Sequence, residues 1–311
     1  MATSQTTVGE AGKFHSTDPS KPPPLPQAWK TLGVKKGFDP PPSTRLRMFI
    51  TARFGFGKST FMMSRPKTLV LSREDSGSFV SSPKAHHKYP PTWKDFTDIL
   101  GQLEKDSRAG RRYFECIGFD TIDDFLPIFD DNLSIEYSKE KDSDGKIVPL
   151  RTISEYGTHG KGTAILYSAV SDTLDALEEW GYSWMCSSHI TEKTLRSADG
   201  TEYTGLRISA PPGLIKIIGK RADFLVGVNK KTFLEDVKGK IIVVEGKKIA
   251  TSKKIKRTSH LLTADSTIMP ETKNRLPGMS LEMELPRIGG WDKFDKVYTD
   301  QCAKIKKTEN Q

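Results

Sequence analysis

Short apolar runs alternate with longer amphipathic stretches through the middle of the chain. The apolar runs predict six β-strands, at residues 46–51, 68–72, 113–119, 182–188, 224–228 and 241–245. Residues 93–105 and 164–180 instead place apolar side chains three and four positions apart, which predicts amphipathic helices. Strands that alternate with helices favour an α/β fold, with a mostly parallel central sheet covered by helices on both faces.

Polar and proline-rich segments interrupt this pattern. Residues 1–44 contain two proline clusters and predict a disordered tail, because proline lacks the backbone donor and fixes φ. Residues 132–161 and 193–212 are polar and contain glycine, so we expect two irregular loops there. The ordered domain is therefore expected to span residues 45–290, followed by a C-terminal helix or tail at 291–311.

The composition restricts the class of protein. Of the 311 residues, 35% are hydrophobic, which is enough to bury a core and excludes a wholly disordered chain. No apolar run approaches the roughly 20 residues that cross a bilayer, and the N-terminus lacks the apolar segment of a secretory signal. Three widely spaced cysteines argue against a disulfide scaffold or a zinc finger and favour the cytoplasm. A net charge of +9 favours an anionic partner, with nucleic acid as the first candidate.

A phosphate-binding motif follows the first predicted strand. In TARFGFGKST, Gly57, Lys58 and Ser59 fill the last three positions of the P-loop pattern G-x-x-x-x-G-K-[ST], and Ala52 stands in the first. In such a loop, backbone N–H groups surround a triphosphate, the lysine reaches the β- and γ-phosphates, and the serine hydroxyl binds Mg²⁺. The alternative is a glycine turn with an exposed lysine, and a left-handed φ at Ala52 would cost about 1 kcal/mol. The predicted cofactors are ATP and Mg²⁺, and the predicted nucleotide-binding residues are Arg53, Phe54, Gly55, Phe56, Gly57, Lys58, Ser59 and Thr60.

Polar residues at the ends of three predicted strands are candidates for the chemistry. Asp120 fits the Walker B carboxylate that holds the metal, with Asp123 and Asp124 as alternatives, unless Asp120 only caps the next helix. Glu74, with Asp75 in reserve, is the candidate base for the attacking water, or else belongs to a solvated charge cluster. His189 is placed to sense the γ-phosphate, or to make a local hydrogen bond.

The order of these motifs resembles that of the RecA-like ATPases, and in particular the compact phage-encoded group linked to single-strand annealing and recombination. The resemblance covers residues 45–290, and TKNRLP at 272–277 is similar to a late basic element of that group. It implies Walker roles for Lys58, Ser59 and Asp120, and a water-activating role for Glu74. It also implies that His189 couples the nucleotide state to a DNA-binding loop.

The resemblance further implies self-association into a filament or ring, with ATP between subunits. Lys273 or Arg275 would then reach the nucleotide of a neighbouring subunit. A phage-encoded member would act in the cytoplasm of the host cell, with no membrane partner.

A basic segment is the main candidate for nucleic-acid binding. Residues 229–257 carry ten basic and three acidic side chains, and KGKIIVVEGKK within them predicts a β-hairpin. Cations along a hairpin favour contact with single-stranded DNA, although a lysine-rich edge also blocks aggregation between sheets. The two predicted loops are further candidates, with Tyr137, Tyr156 and Tyr203 to stack on bases and Lys161 and Arg196 to meet phosphates.

These observations favour a Mg²⁺-ATP-dependent, single-strand DNA-binding ATPase that is stimulated by DNA and acts in recombination, annealing or repair. Single-strand-binding or other recombination proteins are expected partners. The alternatives are a RecA-like ring helicase or motor, and a nucleotide-gated DNA-binding scaffold with little turnover.

Overall fold

The structure is a computed structural model, and its contacts divide the chain into two units. The larger unit comprises residues 41–304, and the smaller comprises residues 1–40 and 305–311. The described residues are 27, 31, 39–74, 80, 83–139, 147, 149–196, 202–244, 247–263, 272–279, 282–286 and 290–309. Most of the predicted N-terminal tail lies outside the described residues, as does the middle of the predicted loop at 132–161.

Ten strands and six α-helices make up the described part of the chain. The strands are β1 (Met48–Ala52), β2 (Thr68–Ser72), β3 (His86–Lys88), β4 (Cys116–Asp120), β5 (Ser183–Arg196), β6 (Glu202–Ile208), β7 (Phe224–Val244), β8 (Lys247–Thr263), β9 (Lys273–Asn274) and β10 (Glu282–Leu285). The helices are α1 (Lys58–Met63), α2 (Trp93–Arg108), α3 (Ile122–Tyr137), α4 (Lys161–Glu179), α5 (Pro212–Arg221) and α6 (Gly290–Glu309). Two 3-10 turns, Ser43–Arg45 and Ile153–Glu155, complete the regular structure.

Ten strands form one mixed sheet whose centre is parallel. Its order is β10-β8-β7-β1-β5-β4-β2-β3, and the neighbours from β7 to β3 are parallel. The antiparallel pairs are β7 with β8, β8 with β10, β5 with β6, and β7 with β9. Because β1, β2, β4 and β5 are parallel, their carboxyl ends lie at one edge of the sheet.

Both faces of the parallel strands are covered by helices. Phe49, Phe119 and Trp184 belong to the core that the sheet forms with α2, α3, α4 and α5. On the other face, Phe294 of α6 contacts Phe61 of α1 and Phe224 of β7, with ring centroids 6.3 and 5.4 Å apart. Burial on both faces explains the nearly continuous apolar runs of these strands. The predicted fold class, a mostly parallel α/β sheet with a basic hairpin, is confirmed.

Buried charges fix the amino end of β1. The Asp223 carboxylate accepts hydrogen bonds from the Arg47 backbone N–H at 3.0 Å and from its guanidinium at 2.9 and 3.2 Å. The fully buried Arg65 donates to the carbonyls of Leu46 and Thr44, at 3.2 and 2.7 Å. The position of β1, and hence of the loop that follows it, is therefore set by contacts at the opposite end of the strand.

The structure corrects two details of the sequence-based elements. The predicted strands at 224–228 and 241–245 are parts of one strand, β7, whose register shifts between Lys238 and Ile241. The predicted loop at 193–212 is instead mostly a β-hairpin, because β5 continues to Arg196 and pairs with β6. The sequence pattern did not reveal the full length of β5 and β7, because each strand continues past the buried sheet into a two-stranded hairpin of polar sequence. The C-terminal segment is helical to Glu309.

Candidate functional site

The loop between β1 and α1 has the backbone of a phosphate-binding turn. Gly55 and Gly57 have φ values of 70° and 92°, a region that favours glycine, and Gly57 is the N-cap of α1. The Phe56 N–H donates to the Arg53 carbonyl at 3.2 Å and closes the turn. Because the first turn of a helix leaves its N–H groups without intrahelical partners, α1 begins, directly after β1 and this turn, with donors that stabilise an anion.

Ala52 is compatible with this loop. It is the fully buried last residue of β1, and its neighbours in the sheet are His189 and Val228. An extended backbone suits alanine as well as glycine, so the strain that a left-handed φ would cause is absent.

Lys58 is buried at the start of α1, with 6% of its surface exposed. Its Nζ lies 3.0 Å from Nδ1 of His189 and 3.5 Å from the Ala52 carbonyl oxygen. Burial lowers the pKa of Lys58, while the charges of Asp120, Asp123, Asp124 and Glu74, in decreasing order, oppose the shift. The alternative of an exposed lysine on a glycine turn is therefore wrong.

Asp120 is the last residue of β4. It is buried, and its Oδ1 accepts a hydrogen bond from the Ser187 hydroxyl at 2.7 Å. Thr121, which caps α3, uses its hydroxyl to bind Asp124. Of the acids whose charges act on Lys58, Asp120 has the largest effect, and a serine of β5 fixes the orientation of its carboxylate.

Asp123 lies in the first turn of α3. Burial raises the pKa of its carboxyl group, and this exceeds the opposing effects of its own backbone N–H and the Ser188 hydroxyl. Its charge is repelled by that of Asp124 and attracted by that of Lys58. Asp123 therefore belongs to the same group of charges as Asp120.

Glu74 is the least enclosed of the predicted acids. It follows β2 by two residues, and its side chain is exposed. The Ser72 hydroxyl donates to the Glu74 carbonyl at 2.5 Å, which fixes the backbone and leaves the carboxylate at the surface. Its charge acts on Lys58 less than those of the three aspartates. Asp75, the reserve candidate, lies outside the described residues.

His189 lies inside β5, because the strand continues beyond it. Its ring stacks on Phe54 with centroids 5.8 Å apart and an interplanar angle of 28°. Together with the contact to Lys58, this stacking ties His189 to two residues of the loop. The Phe54 ring is 78% exposed, so its outer face is open at the edge of the site.

The other large side chains of the loop face the bases of the two hairpins. Arg53 forms an ion pair of 2.7 Å with Glu192 of β5, and Lys230 of β7 lies 4.9 Å from the centre of the Phe56 ring. Between the loop and the hairpins is a cavity of about 240 Å³, lined by Arg53, Phe56, Ile190, Leu206, Val228, Asn229 and Lys230. The loop is therefore in direct contact with both hairpins.

Lys273 and Arg275 lie at the amino edge of the sheet, away from the loop of the same chain. Nζ of Lys273 donates to the Gly219 and Lys220 carbonyls, at 2.7 and 3.1 Å. Arg275 donates to the Lys220 carbonyl at 2.9 Å and binds Asp223 at 3.3 Å. Within one chain these two residues hold the C-terminal end of α5, and their predicted action on a neighbouring subunit stays a prediction.

The residues at the site fit a hard divalent cation. Mg²⁺ prefers oxygen ligands, and the Ser59 hydroxyl and the Asp120 carboxylate lie on the two elements that a phosphate-bound Mg²⁺ would touch. A bound Mg²⁺ would neutralise charge on the phosphates. The nearby Asp123 has a buried Oδ1 for which the described residues supply no hydrogen-bond partner.

The sequence analysis missed two residues that lie at the site, Ser187 and His260. Ser187 donates to Asp120 and lies two positions before His189 on β5, so the strand period of two places both side chains on one face and contained a usable signal. His260 of β8 approaches the loop, with its ring 3.4 Å from the point where a Cβ on Gly57 would lie. No local pattern marks His260, because its position depends on the pairing of β8 with β7.

Comparisons with known proteins agree with this geometry. Residues 44–276 match the family model described as "AAA domain", while no curated protein matches the chain. Among the described residues, no helix is long and apolar enough to cross a membrane. The match covers well over half of the chain and includes the loop, Asp120 and His189, so the chain belongs to the AAA domain family of P-loop ATPases.

Proposed function

We propose that the protein is a Mg²⁺-ATP-dependent ATPase that binds single-stranded DNA and acts in recombination or annealing. The observation that carries the ATPase part is the buried Lys58, which contacts His189 and is acted on most strongly by the charge of Asp120 at the end of β4. A cation, a carboxylate and a polar group at one edge are the parts that phosphoryl transfer from ATP requires.

The DNA-binding part is supported by the position of the basic segment. Residues 229–257 lie mostly in β7 and β8, and β7 is also the sheet neighbour of β1. A strand that starts beside the loop and continues as a lysine-rich hairpin connects the nucleotide site with a segment of strongly basic sequence. Phosphates of a single strand are the partner that such a segment favours.

Replacement of Lys58 tests the nucleotide site. We expect Lys58→Ala to weaken binding of a fluorescent ATP analogue by at least tenfold and to abolish phosphate release, because the variant loses the buried cation at the phosphates. Lys67→Ala is the matched control, since Lys67 follows α1 but pairs with Glu115 at the surface. Equal affinity of the Lys58→Ala and wild-type proteins would remove the assignment.

A DNA-binding scaffold with little turnover is the second candidate, and the exposed side chain of Glu74 favours it. The two functions differ in phosphate release with and without single-stranded DNA. Release that increases with DNA supports the ATPase, whereas tight Mg²⁺-ATP binding without release supports the scaffold.

A further inference from the structure

One cross-strand pair at the base of the hairpin of β7 and β8 contacts the phosphate-binding loop. Lys230 of β7 lies directly opposite His260 of β8, so both side chains are on the same face of the hairpin. Nζ of Lys230 lies 4.9 Å from the centre of the Phe56 ring. Cδ2 and Nε2 of His260 lie 3.4 and 3.6 Å from the position that a Cβ on Gly57 would occupy. The pair therefore contacts two consecutive residues of the loop.

His260 supports the loop where the first helical turn begins. Gly57 is the N-cap of α1, and its carbonyl accepts a hydrogen bond from the Phe61 N–H at 2.9 Å. The backbone N–H groups that would hold a phosphate follow Gly57 directly. Leaving aside its neighbours in the chain, the three atoms nearest to the Cβ position of Gly57 all belong to His260. At Gly55 no atom of the described residues lies within 4 Å of that position, so the support is specific to Gly57.

The same pair lies where the hairpin leaves the sheet. β8 pairs with β10 from Thr263 to His260, and His260 is opposite Leu285. On the other side, β7 pairs with β1 as far as Val228. Beyond Lys230 and His260, β7 and β8 pair only with each other among the strands that the structure describes. The pair is therefore the junction between the sheet and the two-stranded part of the hairpin.

The sequence beyond this junction favours an anionic strand. Residues 229–257 carry ten basic and three acidic residues. A two-stranded hairpin has little stability of its own, so a strand of nucleic acid bound along it would limit the directions in which it leaves the sheet. Such a restriction acts at the base of the hairpin, which is the part in contact with the loop.

The pair is separate from the contacts that β5 makes with the loop. His189 of β5 contacts Phe54 and Lys58. Lys230 and His260 belong to strands on the other side of β1 and contact residues between those two. A variant of the pair therefore leaves the side chains of His189, Phe54 and Lys58 in place.

On the basis of the DNA-binding ATPase proposed above, we propose that Lys230 and His260 are positioning residues that couple DNA binding at the hairpin to nucleotide binding at the loop. DNA on the hairpin holds the pair against Phe56 and Gly57, and the loop keeps the backbone that a phosphate requires. Without DNA the pair is less constrained, and so is the loop. Because coupling between two sites is reciprocal, bound ATP increases the affinity for DNA by the same factor.

The affinity for a fluorescent ATP analogue, measured with Mg²⁺ and with or without a saturating single-stranded oligonucleotide, tests the proposal. Coupling between sites typically changes affinity about 5–150-fold, so we expect the oligonucleotide to tighten binding by the wild-type protein at least about fivefold. His260→Ala and Lys230→Ala should each lower this ratio more than about threefold. If His260→Ala melts below the assay temperature, Lys230→Ala decides alone, because its position is exposed.

Lys231→Ala and Ser259→Ala are the matched controls. Lys231 and Ser259 form the next pair of the hairpin, and their side chains lie on the opposite face because successive residues of a strand alternate. Lys231→Ala removes the same charge as Lys230→Ala, so both should weaken DNA binding to a similar extent. Only Lys230→Ala should lower the coupling ratio.

Three outcomes would overturn the inference while the DNA-binding ATPase stands. The first is a wild-type protein that binds the analogue equally well with and without the oligonucleotide. The second is a coupling ratio in the two test variants that stays within about threefold of the wild-type ratio. The third is an equal decrease in the two controls, which would indicate a general loss of hairpin structure. A wild-type protein that binds no single-stranded DNA would instead remove the proposed function, and this inference with it.

Discussion

At the scale of single residues, Lys58 is a buried side chain whose charged form is stabilised by the acids around it. Burial lowers its pKa, and the acids at the carboxyl edge limit the shift. Its ammonium is directed at Nδ1 of His189, 3.0 Å away. A triphosphate would offer the same ammonium a charged acceptor, so nucleotide binding and the contact between Lys58 and His189 are in competition.

The lowered pKa of Lys58 predicts a pH dependence of nucleotide binding. A bound triphosphate favours the ammonium form, so binding takes up a proton once the pH exceeds the pKa of the free protein. Affinity for the ATP analogue should therefore fall as pH rises, beginning below the value of about 10.4 that an ordinary lysine has. Each pH unit above that pKa weakens binding by at most about tenfold. Titrations from neutral pH to pH values near 10 check this, with the melting temperature as the control for folding. Constant affinity across that range would contradict it.

At the scale of elements, the loop is connected to both hairpins by side chains. Arg53 pairs with Glu192 of β5, and Phe56 contacts Lys230 of β7. Both strands leave the parallel sheet at the level of Ala52, and each then pairs with one antiparallel partner. These side-chain contacts connect the loop directly to the bases of both hairpins.

The hairpin of β7 and β8 gives a prediction for DNA binding. We expect the replacement of four lysines of β8 by glutamine to reduce the slope of log affinity against log salt by about 3, at about 0.7 per phosphate contact on a single strand. The residues to replace are Lys247, Lys248, Lys253 and Lys254. The same change of net charge elsewhere should leave the slope almost unaltered, and the control lysines are Lys94, Lys105, Lys216 and Lys296. Equal slopes for both variants would place the DNA site outside this hairpin.

At the scale of the whole molecule, α6 covers the face of the sheet that carries α1. Phe294 is fully buried and lies 5.2 Å from Trp291 and 5.4 Å from Phe224, measured between ring centroids. The Trp291 N–H donates to the Ser64 hydroxyl at 2.9 Å, directly after α1. The C-terminal helix therefore supports the helix that begins at the phosphate-binding loop.

Truncation of Phe294 should destabilise the domain. We expect Phe294→Ala to lower the free energy of unfolding by about 3–5 kcal/mol, because it removes a large side chain from a core that relaxes only in part. Denaturant titration measures the change, and Lys296→Ala, an exposed position on the same helix, should stay within about 0.5 kcal/mol of the wild type. An unaltered midpoint for Phe294→Ala would show that α6 contributes little to stability.

Local patterns determined the central strands, the main helices and the glycine turn. Apolar runs indicate strands that are buried on two faces, and apolar side chains three and four positions apart indicate helices with one buried face. Gly55 and Gly57 indicate a left-handed backbone. Those signals lie within a few residues of each other, so the sequence by itself contains them. The same patterns did not predict the extensions of β5 and β7, since a hairpin outside the core does not require apolar side chains at every second position.

Tertiary structure alone decided which polar groups meet at the site. Lys58 and His189 are 131 positions apart along the chain, and sheet pairing brings Ala52 and His189 side by side. The tertiary structure also decided that the Asp123 side chain is more enclosed than that of Glu74. It further placed Lys273 and Arg275 at the amino edge of the sheet. The physical reason is that burial and charge depend on every segment packed around a group, whereas a motif contains only the residues next to it in sequence.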